Sequence, residues 1–152
     1  MKRLAHLAFL LAAAACGGAD AGTGPANGLA GAYTLTSYNG GALPAYLEPG
    51  LGPCSSKLVS GSLTGGEGGR IVFTRSYITP CVAGAPVAAV PNPGSITIAG
   101  SAVTITLDTN VLSPVPTVYT GTMSGDQITL QFAVPDRVST NQLVQTFVLT
   151  RQ

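Results

Sequence analysis

The sequence predicts an all-β domain: a single antiparallel up-and-down β-barrel of about eight strands, or a β-sandwich, preceded by a signal peptide and a flexible tether. Three observations lead there. Val, Ile, Leu and aromatic residues alternate with Thr, Ser and Gln in short runs spaced roughly 8–12 residues apart, the pattern of half-buried strands. Turn residues separate the runs, in a chain holding 20 Gly and 11 Pro. No helical period follows the first fifteen residues. A meander of hairpins suits an up-and-down barrel better than long Greek-key crossings.

The chain divides into residues 1–15, 16–29 and 30–152. Lys2 and Arg3 precede an apolar run, residues 4–15, broken only by His6 and ending in Ala13-Ala14-Ala15. Positive start, apolar run and small residues are the layout of a secretory signal peptide. The run is about half the ~20 residues that span a bilayer. Ala13-Ala14-Ala15-Cys16 resembles the lipobox of bacterial lipoproteins, with Ala13 where the commonest form has Leu. The resemblance implies cleavage before Cys16, diacylation of its sulfur and acylation of the new N-terminus. Two or more chains anchor firmly, each buried methylene contributing roughly 0.8 kcal/mol. A plain secretory leader is the alternative. Gly17, standing where Asp would favour inner-membrane retention, points the resemblance towards the outer membrane. Residues 16–29 are Gly, Ala, Thr, Pro and Asn in the main, the composition of a tether.

The domain then unfolds in order. Segment 31–38 is a strand with Tyr33 and Leu35 on its buried face, and Asn39-Gly40 a turn. Segment 44–54 reads as a loop. Segment 56–64 is a strand with Val59, Gly61 and Leu63 inward, and 65–69 a glycine-rich turn. Segment 70–79 is a strand whose two faces are hard to separate. Residues 80–93 are proline-broken, with Val87 to Val90 a short edge strand at most. Two hairpins, 96–105 and 121–130, share one pattern around Gly100 and Gly125. Val103, Ile105, Leu107, Ile128, Leu130 and Phe132 are expected inside, with Thr104, Thr106, Gln127, Thr129 and Gln131 outside. Pro135-Asp136-Arg137 is a turn, and 143–151 the last strand, with Phe147 and Leu149 inward.

Gly31-Ala32-Tyr33 resembles the Gly-x-Trp that opens the first strand in the lipocalin and calycin group, with Tyr for Trp. In that family an arginine from the last strand packs on the aromatic and closes the barrel. The resemblance implies that role for Tyr33 and Arg151. A Tyr-Thr-Gly-Thr segment, Tyr119 to Thr122, adds a likeness to small lipoproteins with lipocalin-like domains. The resemblance implies a fold and no particular ligand.

Composition narrows function. Charged residues are 9 % of the chain, against ~25 % in ordinary soluble domains. Without Lys2 and Arg3, five basic residues (Lys57, Arg70, Arg75, Arg137, Arg151) face six acidic ones. With no basic stripe, nucleic acid is not an expected partner. With Cys16 lipidated, Cys54 and Cys81 remain; an even pair in an exported chain reads as a disulfide, two free thiols being the alternative. His6 leaves with the leader, so serine-histidine catalysis lacks its base and a metal pair lacks ligands. The carboxylates Asp20, Glu48, Glu67, Asp108, Asp126 and Asp136 fall in the tether, turns or loops. Hence no catalytic residue, metal or cofactor is expected. Tyr38 and Tyr46 flank the first loop, at the expected barrel mouth, and are candidates for ligand contact, with core or rim packing as the alternative. The expectation is a non-catalytic envelope protein, anchored to a membrane by lipid. Its partner is a small apolar ligand, or another envelope protein meeting a barrel with a filled core.

Overall fold

A computed structural model describes residues 29–47, 54–81, 83, 87–109, 114–135 and 142–152. The leader, Cys16 and the rest of the tether up to residue 28 lie outside the described residues, as do Asp136 and Arg137 of the expected turn. The strands are β1 (Ala32–Tyr38), β2 (Gly41–Ala42), β3 (Ala45–Tyr46), β4 (Lys57–Gly65), β5 (Arg70–Ile78), β6 (Ala88–Ala99), β7 (Ala102–Leu107), β8 (Thr117–Ser124), β9 (Gln127–Pro135) and β10 (Gln142–Arg151).

From β4 to β10 each strand pairs antiparallel with the next. β10 pairs with β1, and β1 pairs with β4 through Ala32, Tyr33 and Thr34. The sheet therefore closes into an eight-stranded up-and-down barrel, not a sandwich; the two-residue strands β2 and β3 attach to β1 and β4. Closure removes most free sheet edges.

Alternation fills the interior. Val103, Ile105 and Leu107 on β7, Ile128 and Leu130 on β9, and Phe147 and Leu149 on β10 are buried, with Phe132 partly so. Each such side chain contributes about 1.5–3 kcal/mol when fully buried. The hairpins β6–β7 and β8–β9 turn through two residues, beginning at Gly100 (φ 61°) and Gly125 (φ 57°). Asn39 (φ 49°) and Gly40 (φ 77°) give the β1–β2 turn the positive angles of a type I′ hairpin.

Two bulges shift the alternation. In β4 the register slips between Leu58 and Ser60. Leu58 is fully buried while Val59 is only partly so, and Val59 loses the inward place expected of it. In β1 the register slips between Leu35 and Ser37, and Thr36 Oγ1 donates to the Val148 carbonyl at 3.1 Å. The extra residue turns Tyr38 inward, three positions after Leu35.

The proline-broken segment corrects the sequence reading. Val87 to Val90 is no separate edge strand: Ala88 to Val90 begin a twelve-residue β6 that runs through Pro91 and Pro93. Pairing with β5 is unbroken from Tyr77↔Ala88 to Arg70↔Ser95. The Pro93 carbonyl accepts from Asp108 N at 2.8 Å, so Pro93, and Pro91 two residues before it, turn their nitrogens away from β5. β7 pairs only from Gly94 onward. The missing N–H groups thus cost no ladder bond.

Gly121 faces the interior where β8 crosses close to β9. A Cβ there would stand 2.9 Å from Leu130 Cα and closer still to the Thr129 carbonyl oxygen, with only backbone to yield. Gly121→Ala is expected to cost about 3 kcal/mol, the upper range for overpacking. Gly125→Ala meets open space and carries only its positive-φ penalty, about 1–2 kcal/mol. Denaturant titration of the two variants checks the order; an equal or greater loss at Gly125 contradicts the close crossing.

Candidate functional site

The two barrel ends differ. At one, Arg151 lies over Tyr33, its guanidinium carbon 5.5 Å from the ring centroid. Its Nη2 donates to the Tyr33 hydroxyl at 3.1 Å and the Ala30 carbonyl at 3.3 Å, and Nη1 meets Asp126 at 3.5 Å. Tyr33 is fully buried beneath it. Gln152 N donates to the Ala32 carbonyl, sealing the strand ends.

Aromatic rings collect towards the other end. Phe147 packs against Tyr38 (centroids 5.0 Å), Tyr119 (5.7 Å) and Phe73 (6.0 Å), and Tyr119 against Phe132 (5.1 Å). Among them stands a cation. β5 places Ile71, Phe73, Arg75 and Tyr77 at alternate positions, and Ile71 and Phe73 are buried. Arg75 shares their inward face. Its guanidinium carbon lies 5.3 Å from the Phe73 ring centroid and 6.0 Å from those of Tyr77 and Tyr119. Nη1 donates to the Tyr119 hydroxyl at 2.9 Å. Nε is buried without a hydrogen-bond partner.

The described carboxylates are engaged or remote. Asp108 pairs with Arg70 at 2.5 Å, Asp126 with Arg151, and Glu67 sits in the turn between β4 and β5. Among the described residues, none neutralises Arg75. The phenols do not serve either. Burial pushes Tyr38 up to about 12, against a smaller opposing effect of its Asn39 hydrogen bond. Burial also raises Tyr77 and Tyr119, with the positive Arg75 partly offsetting it. All three are neutral at physiological pH. The same shifts carry a stability prediction. An unfolded phenol releases its proton near pH 10, while the folded ones retain theirs to higher pH. This contribution is therefore complete below pH 10 and is lost as pH rises towards 12. The urea midpoint should hold steady from about pH 7 to 9 and fall steeply beyond 10. A flat midpoint up to pH 12 contradicts the burial of these hydroxyls.

Tyr38 and Tyr46 are not brought together. Tyr38 is buried, its hydroxyl donating to the Leu47 carbonyl at 3.2 Å. Tyr46 is 39 % exposed, with Lys57 Nζ 4.4 Å from its ring centroid. Cys54 and Cys81 form a disulfide, Cα atoms 4.9 Å apart, joining the approach to β4 with the exit from β5. Sequence reasoning missed Arg75. Its signal was present: a lone charge in the alternation Ile71, Phe73, Arg75, Tyr77.

Compared with known proteins, the chain matches no family and no curated protein.

Proposed function

We propose that this chain is an envelope lipoprotein, anchored through Cys16 to the outer membrane, whose barrel binds a small, largely apolar ligand without chemical turnover. The lipobox-like Ala13-Ala14-Ala15-Cys16 and the Gly17 that follows support the anchor and its location. The observation that carries the binding reading is the cluster at the far end of the barrel: Tyr38, Phe73, Tyr77, Tyr119, Phe132 and Phe147 around one interior guanidinium. Eight strands make an interior just wide enough for side chains or for one small ligand. At the Tyr33 end the arginine, itself exposed, is paired with Asp126 and bonds the Tyr33 hydroxyl and the Ala30 carbonyl. At this end Arg75, Tyr77 and Phe132 remain partly exposed, so solvent reaches side chains that face inward.

The test is mass spectrometry of the full-length protein from a bacterial membrane fraction, recorded native and then denatured. The denatured mass should equal the chain from Cys16 onward plus its acyl groups, less two hydrogens for the disulfide. The native mass should carry a small adduct that disappears on denaturation. A mature chain without acyl mass overturns the anchor. An acylated chain that never carries an adduct overturns the binding reading and favours a protein-interaction module with a filled core.

A further inference from the structure

Granted that binding reading, we infer that the ligand is a single-chain amphiphile with a monoanionic head, and that Arg75 and Tyr119 receive the head. The argument starts from unmet bonding capacity. A guanidinium offers five N–H donors in a planar fork; Arg75 is partly exposed but its Nε is buried, so part of that capacity is turned away from water. Among the described residues only Nη1 of Arg75 has a hydrogen-bond acceptor, the Tyr119 hydroxyl, and the buried Nε has none. In accepting that bond, Tyr119 Oη keeps its own proton, held firmly because burial raises its pKa. Arg75 and Tyr119 thus present a fork and a phenol side by side, and all their free positions are donors. Only an acceptor with several lone pairs satisfies them together, and a carboxylate or phosphate oxygen set fits the fork. Among the described residues Arg75 is a single uncompensated charge, which sets the head at one negative charge. The Phe73, Phe132, Phe147 and Tyr38 rings give the rest of the molecule an apolar surround. A fully apolar ligand would leave the guanidinium unpaired, and a multiply charged one would leave its own excess charge against those rings.

The probes are decanoate, 1-decanol and decyl phosphate, titrated calorimetrically into the full-length acylated protein in dodecyl maltoside. Charge-assisted hydrogen bonds of this kind favour the ionised head by about 10- to 100-fold. Decanoate should bind wild type at least tenfold more tightly than 1-decanol. Arg75→Met should abolish that preference yet still bind 1-decanol, and should melt at or above wild type, because it removes an unpaired charge and keeps the volume. Tyr119→Phe should weaken decanoate a few-fold and leave 1-decanol unchanged. Decyl phosphate, close to doubly charged at about pH 7.5, should bind more weakly than decanoate; binding tenfold more tightly overturns the single negative charge assigned to the head. Equal affinity of wild type for decanoate and 1-decanol overturns the inference while leaving the binding reading intact. So does a preference that survives in Arg75→Met. Failure of all three probes to bind overturns the binding reading itself.

Discussion

Phe147→Ala is expected to lower the melting temperature of the domain by about 12–20 °C. Phe147 is 1 % exposed, and its ring packs against Tyr38, Phe73 and Tyr119, which come from β1, β5 and β8. One side chain on β10 therefore joins strands from opposite walls of the barrel. Truncating a buried Phe costs about 3–5 kcal/mol, because transfer free energy and a cavity term add. The upper range applies where neighbours cannot collapse, and here they are rings on strands held by closure. For a domain of this size each kcal/mol lowers the midpoint by roughly 3–5 °C. Phe147→Leu, which keeps most of the volume, should cost about 1.5 kcal/mol or less. Thermal melts followed by circular dichroism compare the two. A drop of only a few degrees in the alanine variant would mean that the three rings repack freely, and that the aromatic cluster is not a fixed frame.

Breaking the Cys54–Cys81 link should have an effect of similar size. The two residues are 27 positions apart, and the chain-entropy account gives such a loop roughly 3.5 kcal/mol. The bond spans the start of β4 and the end of β5, where Ser56 and Thr79 hydroxyls also lie 3.3 Å apart. The double variant Cys54→Ser/Cys81→Ser should match reduced wild type in melting temperature, and adding reductant to it should change nothing. Native, unreduced protein should resist iodoacetamide at both positions. Labelling of both thiols would show them free in solution and remove the predicted loss.

How much of this was legible in the sequence depends on whether a strand keeps strict alternation. Val103, Ile105 and Leu107, or Ile128 and Leu130, follow a period of two without interruption, and their inward places could be read directly. The threonines opposite them fall outside for the same reason. Legibility failed at the bulges. Leu58 and Val59 exchange expected places, and Tyr38 lands inside, because one inserted residue puts the alternation on its two sides out of phase, and the insertion leaves no mark in composition. It failed again at Pro91 and Pro93. Prolines argue against a strand only where both sides are paired, and single-sided pairing is a tertiary fact. Arg75 was hidden by the opposite rule. Charges are assigned to the surface by default, although the residues two before and two after it are Phe73 and Tyr77.

The two prolines of β6 also bear on how separate molecules behave towards one another. Among the described residues, β6 from Ala88 to Pro93 has a strand on one side only. Such a stretch is an invitation to strand addition by a neighbouring copy, the first step towards self-association. Of the positions turned to that free side, Pro91 and Pro93 offer no donor, and the Pro93 carbonyl is already taken by Asp108 N. Ala89 alone keeps an N–H there. An incoming chain would find a single donor along this edge, so the stretch is poorly suited to strand addition between copies.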